Sequence, residues 1–560
     1  MQHADSIRIL CENTNSTLEV KMGTTLKEVL QIVGLNGKLP ILAAYVNNRI
    51  KELHYKVYRP ISIRFIDMSS HAGYRVYERT ACFIMQRAVE ELWPEKQLQV
   101  RHSLGQSGLY CEIEGMPGIS NKEIAELERR MQLIVESDTP IYRHRMPTSE
   151  VRELYQRAGY SDKIELLDTR PRLYSVIYSM GKSIGFFYGA LAPSTSYIKL
   201  FKLQHYHNGI LLTLPSRSNP TQIAQNIVQE KMFDIFRDYK RWDEITGGEN
   251  IGQINARILE GNAPEMIRMG EAIHEKCLSR IADTIYERYS EKGVRLILIS
   301  GPSSSGKTTS AKRLSVHLQV LGLNPVIISL DDYFVNRDQT PRDESGDYDY
   351  EALEAIDLKL FNEQLLELYA GREVTIPRYN FITGMREWHE TPLKLDQRSV
   401  LIVEGIHGLN PRLTPAIAEQ MKFKIYVSCF TSVSMDNLSR IATTDNRLIR
   451  RMVRDYRQRG SNALSTLSRW ASVRRGEEKH IFPYQENADV MFNSSLFYEF
   501  SVLRPLAEPI LREVPDTVPE FNEANRLLHL LDNFTPIYDK KDIPPTSVLR
   551  EFIGDSTFSY

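Results

Sequence analysis

The chain has 560 residues, 42% of them hydrophobic and 25% charged, with a formal net charge of −1. That length predicts several domains of roughly 100–200 residues each. The near-zero charge excludes a global field drawing the whole molecule to nucleic acid or an anionic membrane, although a local basic patch remains compatible with it. The five cysteines, Cys11, Cys82, Cys111, Cys277 and Cys429, are scattered and form no C-x-x-C pair, which predicts free thiols in a reducing compartment. The opening MQHADSIRILCENT lacks a basic stretch ahead of an apolar core, so it does not read as a signal peptide. No apolar run approaches the ~18 residues of a membrane span. The expectation is a cytoplasmic protein with no membrane partner.

Residues 1–68 read as a small β-rich domain. Ile7, Ile9, Leu18 and Val20 alternate as in a hairpin around Asn13-Thr14-Asn15. Thr25 and Glu28 have the spacing of a capping box at a helix start. Ala43–Val46, a turn at Asn47-Asn48 and a last strand at Ile61–Ile66 follow. This order resembles the TGS domain, a ubiquitin-like β-grasp module. The resemblance implies RNA or regulatory-ligand binding; the alternative is an appendage that packs on its neighbour.

Residues 69–217 hold an amphipathic helix at Arg79–Trp93 and a strand at Gly108–Ile113. The passage RTACFIMQRAVEELWPEKQLQVRHSLGQSGLYCEIEG resembles the second additional domain of threonyl- and alanyl-tRNA synthetases, an α+β module that hydrolyses mischarged tRNA. The family's H-x-x-x-H pair falls here on Arg79 and Phe83. Its later Cys- and His-bearing segment falls on Tyr188-Gly189-Ala190-Leu191-Ala192. Arg and Phe cannot hold a metal or a water as two imidazoles do. Editing chemistry is therefore expected to be absent, and the scaffold is left to bind a nucleotide or an RNA end. His205-Tyr206-His207 puts two imidazoles on one strand face, read as surface or core histidines ahead of metal ligands.

Residues 218–292 form a helical connector. Ile223, Ile227, Met232, Ile235 and Phe236 make one apolar stripe, Gly247-Gly248-Glu249-Asn250 interrupts it, and a second helix runs from about Pro264 to Tyr289. Nothing in it suggests chemistry.

From 293 to 506 strands and helices alternate. Apolar runs at Leu296–Ile299, Val326–Leu330, Val400–Val403, Phe423–Val427 and Val490–Phe492 predict a doubly wound parallel sheet. In such a sheet the ligand lies beyond the carboxyl ends of the strands. After the first run comes Gly301-Pro302-Ser303-Ser304-Ser305-Gly306-Lys307-Thr308-Thr309, which fits G-x-x-x-x-G-K-[ST] and opens a helix striped by Ala311, Leu314, Leu318 and Leu321. A glycine loop between strand and helix exposes backbone N–H groups to phosphates, Lys307 reaches the β- and γ-phosphates, and the Thr308 hydroxyl suits Mg²⁺. Ser329-Leu330-Asp331-Asp332 ends the second run and Val403-Glu404-Gly405 the third. A carboxylate at each strand end can face the loop. Asp331 is the candidate general base, with Asp332 as its rival, and Thr308, Asp331 and Glu404 are the candidate metal ligands. Arg447, Arg450, Arg451 and Arg454 share one helical face, as suits a clamp on transferring phosphates or a basic helix for RNA.

SLDDYF, GDYDYEALEAID, PRYNF, VEGIHGL and RLIRRMVRDYRQRG, with ENADVMF at the end, occur in the order and spacing of the uridine kinase and phosphoribulokinase family, which this region resembles from about Leu296 to Asp489. The resemblance implies ATP-dependent phosphorylation of a nucleoside 5′-hydroxyl, with ATP and Mg²⁺ bound. Asp331 falls on the family's catalytic Asp, Arg451 on a substrate contact, and Arg454 and Arg459 in a lid over the phosphates, Arg454 acting in catalysis and Arg459 on the nucleotide. Glu351, Tyr379 and Arg386 fall in the acceptor motifs. Two positions depart from the family. Glu351 replaces the ribose-binding Asp with a longer arm, and Gly384 stands where a His meets the pyrimidine, so uridine itself is in question. Residues 507–560 form a C-terminal extension in which Pro509, Pro515 and Pro519 interrupt the pattern, Asn522–Leu531 is a short helix, and Ser547–Phe552 docks or frays.

The expectation is a multidomain α/β and α+β chain: a β-grasp domain, a synthetase-editing-like domain, a connector, a P-loop kinase domain and an extension. Its function is phosphorylation of a small hydroxylated acceptor, a nucleoside first. The alternatives are an RNA-binding regulatory protein with an ATP-switch domain, or a kinase for a sugar phosphate or a pantothenate-like acid. RNA through the N-terminal half and a homo-oligomer stay open as partners.

Overall fold

A computed structural model describes residues 6–35, 37–105, 107–225, 229–343, 346–380 and 383–559. Met1–Asp5, Gln106, Ile227 and Phe381, which enter the stretches above, lie outside them. Strands β1 (Ser6–Cys11) and β2 (Ser16–Lys21) pair antiparallel through a turn in which Asn15 has φ 50°. Helix α1 (Leu26–Val33) carries the capping box: Thr25 Oγ1 accepts the Glu28 N–H at 3.2 Å and Glu28 accepts the Thr25 N–H at 2.7 Å. Strands β3 (Ala43–Val46), β4 (Arg49–Glu52) and β5 (Ile61–Ile66) complete a sheet of order β2-β1-β5-β3-β4.

Helix α2 (His71–Leu92) begins eight residues before the expected Arg79. Its cap, Ser70, accepts the Gly73 N–H at 3.1 Å. No helical apolar stripe marks the sequence before Val76, so only the cap announces the start. Then come β6 (Leu98–Leu104), β7 (Gly108–Ile113), α3 (Asn121–Glu136), β8 (Ile141–Pro147), α4 (Thr148–Ala158), α5 (Ser161–Asp168), β9 (Tyr174–Met180), β10 (Ser183–Gly185), β11 (Lys202–Tyr206) and β12 (Gly209–Thr213). They form sheets β10-β9-β8 and β11-β12-β7-β6. The Arg79 guanidinium is turned inward and donates to the Ala190 carbonyl at 2.9 and 3.2 Å, while Phe83 is buried against Phe187. His205 and His207 do not share a strand face. The strand ends at Tyr206, and His207 sits in the turn at φ 46°, stacked on Phe233 and paired with Glu230 at 2.9 Å.

The connector contains α6 (Glu230–Thr246), α7 (Ile251–Leu259) and α8 (Ala263–Lys292). Ile223 lies outside α6, bridged to Pro215. Helix α7 was not expected: Asn250, read as part of a break, caps it by accepting the Gln253 N–H at 3.0 Å.

The remaining elements are β13 (Leu296–Ser300), α9 (Lys307–Val320), β14 (Asn324–Ser329), α10 (Leu358–Tyr369), β15 (Pro377–Asn380), β16 (Met385–Trp388), β17 (Ser399–Glu404), β18 (Lys422–Ser428), α11 (Thr443–Gln458), α12 (Ala463–His480), β19 (Val490–Asn493), α13 (Glu499–Arg512), α14 (Phe521–Leu531) and the single turn α15 (Arg550–Ile553). The five predicted runs form one parallel sheet of order β14-β17-β13-β18-β19. Helix α13 carries Pro505 and Pro509 in its interior, so Pro509 does not break it. Proline costs a helix about 3 kcal/mol, and burial of Val502, Leu503, Ala507, Ile510 and Leu511 on one face offsets it.

One hydrophobic core joins the two halves of the chain. It contains Val151 and Tyr155 of α4, Ile251 and Ile254 of α7, Leu448, Ile449 and Met452 of α11, Phe500 and Leu503 of α13, and Leu527 of α14. Polar bonds reinforce the seam. The Val100 N–H donates to the Asn437 carbonyl at 2.7 Å, the Asn437 N–H to Asp162 at 2.8 Å, and Arg440 pairs with Glu78 at 3.3 Å.

Candidate phosphotransfer site

The carboxyl ends of β13, β14 and β17 bring the candidate residues together. Register pairs Ile299 of β13 and Ser329 of β14 with Glu404 of β17, so a carboxylate is set between the phosphate loop and the Asp331 segment. Thr308 donates to Glu404 Oε1 at 3.2 Å and Ser329 donates to the same oxygen at 3.0 Å. Burial pushes the Glu404 carboxyl up to about 7; Lys307 opposes that shift and Asp331 adds to it. One buried carboxylate, a threonine hydroxyl and a neighbouring aspartate form an all-oxygen donor set. That chemistry fits Mg²⁺, which takes one or two carboxylates and completes its shell with phosphate and water.

The loop folds as its glycines and strand–helix context predict. Gly306 has φ 81° and Ser304 φ 59°. At Gly301 a Cβ would lie 1.9 Å from the Val427 carbonyl, so only glycine fits. Lys307 Nζ donates to the Pro302 carbonyl at 3.2 Å. The Ser304 and Ser305 hydroxyls are buried with no hydrogen-bond partner among the described residues, in a loop whose backbone donors are suited to anions.

Asp331 lies in a 3-10 turn after β14, and its carboxylate makes no hydrogen bond to a described residue. Asp332 is engaged: it accepts the Tyr379 N–H at 3.3 Å, and burial raises its carboxyl.

The arginines divide into two groups. Arg447 and Arg450 are 1% and 0% exposed. Arg447 is paired with Glu477 and donates to the Ser303 carbonyl at 3.0 Å, and Arg450 is paired with Glu499 at 2.9 Å. They are buried ion pairs of the fold, not a free clamp, because a guanidinium out of water needs a carboxylate beside it. Arg451 donates to Ser303 Oγ at 3.0 Å, Arg454 to Asp455 at 2.8 Å, and Arg459 lies 3.8 Å from Asp455. Of this second group Arg451 touches the loop, while Arg454 and Arg459 gather around Asp455 on the same helix.

On the acceptor side, Glu351 packs on Gly476, where a Cβ would come within 2.4 Å of its own. Burial raises its carboxyl and Arg451 opposes the rise. Tyr379 is 5% exposed and packs in the core beside Phe334. Arg386 does not project to a substrate. It donates to Asp357 at 3.0 Å and to the Phe334 carbonyl at 3.1 Å, tying the β15–β16 hairpin to the Asp331 segment. Gly384 has φ 73°, and the Arg337 guanidinium would lie 2.7 Å from a Cβ there. An arginine thus covers the position that the family gives to histidine.

Sequence reasoning missed Ser329, His407, Glu477 and Glu551. Glu477 accepts the Ser303 N–H at 3.3 Å, and Glu551 accepts the Thr309 hydroxyl at 2.6 Å. His407 is buried opposite Glu351 and Ala352, with its imidazole pushed down to about 4. Ser329 was visible beside Asp331. Glu477 and Glu551 arrive from 174 and 242 residues away, and no local spacing announces them.

A parallel sheet with a glycine loop, a lysine and two strand-end carboxylates is the arrangement of a P-loop nucleotide-binding fold. Residues 296–496 match the family described as Phosphoribulokinase / Uridine kinase family and form a domain of it. The uridine kinase of Staphylococcus aureus strain JH9 is 28% identical over 201 residues, covering 36% of this chain and 87% of that protein. The uridine kinase of Schizosaccharomyces pombe is 33% identical over 215 residues, 36% of this chain and 41% of that protein. The N-terminal region is similar to threonine–tRNA ligases. That of Symbiobacterium thermophilum is 28% identical over 189 residues, 34% of this chain, and the chain spans 29% of that ligase's length. Among the described residues no helix is long and apolar enough to cross a membrane.

Proposed function

We propose that this chain transfers the γ-phosphoryl group of ATP to a hydroxyl of a small acceptor, a nucleoside 5′-hydroxyl first. The observation that carries the reading is the convergence of Thr308, Ser329 and Asp331 on the buried Glu404 at the mouth of the phosphate loop. Loop amides and Lys307 hold the phosphates. Asp331 takes the proton of the attacking hydroxyl. Arg451 touches the loop at Ser303 and, with Arg454 and Arg459 further along the same helix, meets the developing charge on the transferring group with guanidinium donors. Thr308, Glu404 and Asp331 would hold Mg²⁺, which when bound neutralises phosphate charge. Glu351 faces the acceptor as the carboxylate for its vicinal hydroxyls. Gly384 offers no side chain where the family's histidine meets the pyrimidine, which widens the acceptors to be tried to sugar phosphates and pantothenate-like acids.

The test is an ATP-consumption screen against nucleosides, sugar phosphates and pantothenate-like acids, run beside Asp331→Asn. The variant is expected to lose about 1,000-fold or more in turnover, on the scale of losing a general base, while ATP affinity stays within about threefold. Full turnover in the variant refutes the assignment of the base. Loss of ATP binding in it refutes the separation of donor and acceptor roles.

A second reading, RNA binding by the N-terminal half, is favoured by the threonine–tRNA ligase similarity. Filter binding with tRNA at two salt concentrations tests it, because phosphate contacts release counterions and weaken with salt. Binding absent at both concentrations removes it.

A further inference from the structure

The C-terminal segment beginning at Ser547 is not a frayed tail. Val548, Leu549, Phe552 and Ile553 are at most 1% exposed. Ser547 donates to Glu271 of α8 at 2.5 Å, and the Arg450 guanidinium lies 5.0 Å over the Phe552 ring. The segment reaches the phosphate loop itself. A Cβ on Gly306 would come within 2.5 Å of Val548 Cγ2, so that methyl group lies against the loop's second glycine. Thr309, wholly buried, donates its hydroxyl to Glu551 Oε2 at 2.6 Å. Gln458, at the end of α11, donates to the Glu551 carbonyl at 2.9 Å, and Lys312 donates to the Ser559 carbonyl.

The first turn of α9 thus has two flanks. Thr308 faces Glu404, the metal side. Thr309 is the next residue on the helix, about 100° further round, and it faces Glu551. In a phosphate loop the amides at the helix start take the α- and β-phosphates, while the lysine reaches the β- and γ-phosphates. The nucleoside half of the donor must therefore leave over the flank away from the metal.

We infer that Ser547–Ile553 buttresses the phosphate loop at the donor-nucleotide site and that Glu551 is a positioning residue, fixing the Thr309 hydroxyl at the start of α9. The inference rests on the ATP site proposed above. Its chemistry is that of any nucleoside di- or triphosphate, because Thr309 bonds to Glu551 while Thr308 bonds to Glu404.

Isothermal titration of the full chain with metal-free ADP and with Mg·ATP tests it. Glu551→Ala is expected to weaken both nucleotides about tenfold, the loss of one charge-assisted hydrogen bond, and Glu551→Gln, which still accepts, by less than about threefold. Stoichiometry stays constant in both variants. In turnover the KM for ATP rises, while the acceptor KM and kcat hold. Thr309→Val weakens binding like Glu551→Ala, and the double variant binds no worse than either alone, as residues acting through one bond do. Unchanged affinity in Glu551→Ala, a fall in stoichiometry without a change in affinity, or additive losses in the double variant would overturn the inference. If Glu551→Ala fails to fold, Glu551→Gln and Thr309→Val decide. A wild-type chain that binds neither nucleotide overturns the kinase reading itself and takes this inference with it.

Discussion

The donor and acceptor flanks lie at the same edge of one sheet, but they are held differently. On the donor flank each stretch of the phosphate loop is tied to a distant partner: Ser303 to Glu477, Ser305 to Ser494, Gly306 to Val548 and Thr309 to Glu551. On the acceptor flank the β15–β16 hairpin leaves Met385 and Trp388 more than half exposed, and it is held by neighbours in its own region, Arg386 to Asp357 and two carbonyls and the Tyr379 N–H to Asp332. A phosphate cradle has one geometry to keep, so remote packing can fix it. An acceptor wall built from an exposed hairpin can change partners without disturbing the cradle, and Glu351 and Gly384 lie in that part of the molecule.

The contrast can be broken first at the buried frame of the donor flank. Arg450→Met should destabilise the fold by about 3–5 kcal/mol, because it strands Glu499 in a buried site; urea unfolding measures it, and a loss under 1 kcal/mol contradicts the frame. The next effect is set by pH. The folded state holds the Glu404 proton more tightly than the unfolded chain does, with the carboxyl moved from 4.5 to about 7. Its contribution to stability is therefore complete below about 4.5 and is lost as pH rises through about 7, a change of about 3 kcal/mol. Glu404→Gln has no such proton. It should match the wild type near pH 4.5 and exceed it progressively up to pH 8 in metal-free buffer; parallel curves would show that Glu404 is not the titrating group. On the acceptor flank, Glu351→Ala should raise the acceptor KM about tenfold, about 1.4 kcal/mol, with the ATP KM unchanged. A matching rise in the ATP KM would merge the two flanks. The smallest effect belongs to Gly384→Ala, which forces a Cβ against Arg337 at φ 73° and should lower stability by about 1–2 kcal/mol, read as a fall in melting temperature.

Much of this was legible in the sequence where the signal was local. The parallel strands announced themselves as continuous apolar runs, the phosphate loop by its glycines, and α1 by the Thr25–Glu28 box. Glu404 and Asp331 followed from being at strand ends. What stayed hidden was set by long-range packing. Spacing put Arg447, Arg450, Arg451 and Arg454 on one face, and that is where they are, but spacing is silent on which carboxylates wait opposite. Glu477 and Glu499 make two of them structural. Arg386 was read from a motif and is consumed by a turn more than 50 residues upstream. Pro509 was read as a breaker, yet a well-buried helix face absorbs it.

The core shared by α4, α7, α11, α13 and α14 has a bearing on how such a chain can change over generations. Asn255 of α7 exchanges bonds with the Asn533 carbonyl and the Thr535 N–H at 2.8 and 2.6 Å, so each half completes the other's interior. The N-terminal half cannot be swapped for an unrelated one, nor the C-terminal half released alone, without exposing Leu448, Ile449 and Leu527 to water. Substitutions in this seam should therefore travel in pairs between positions nearly 300 residues apart, and the gene should be inherited whole.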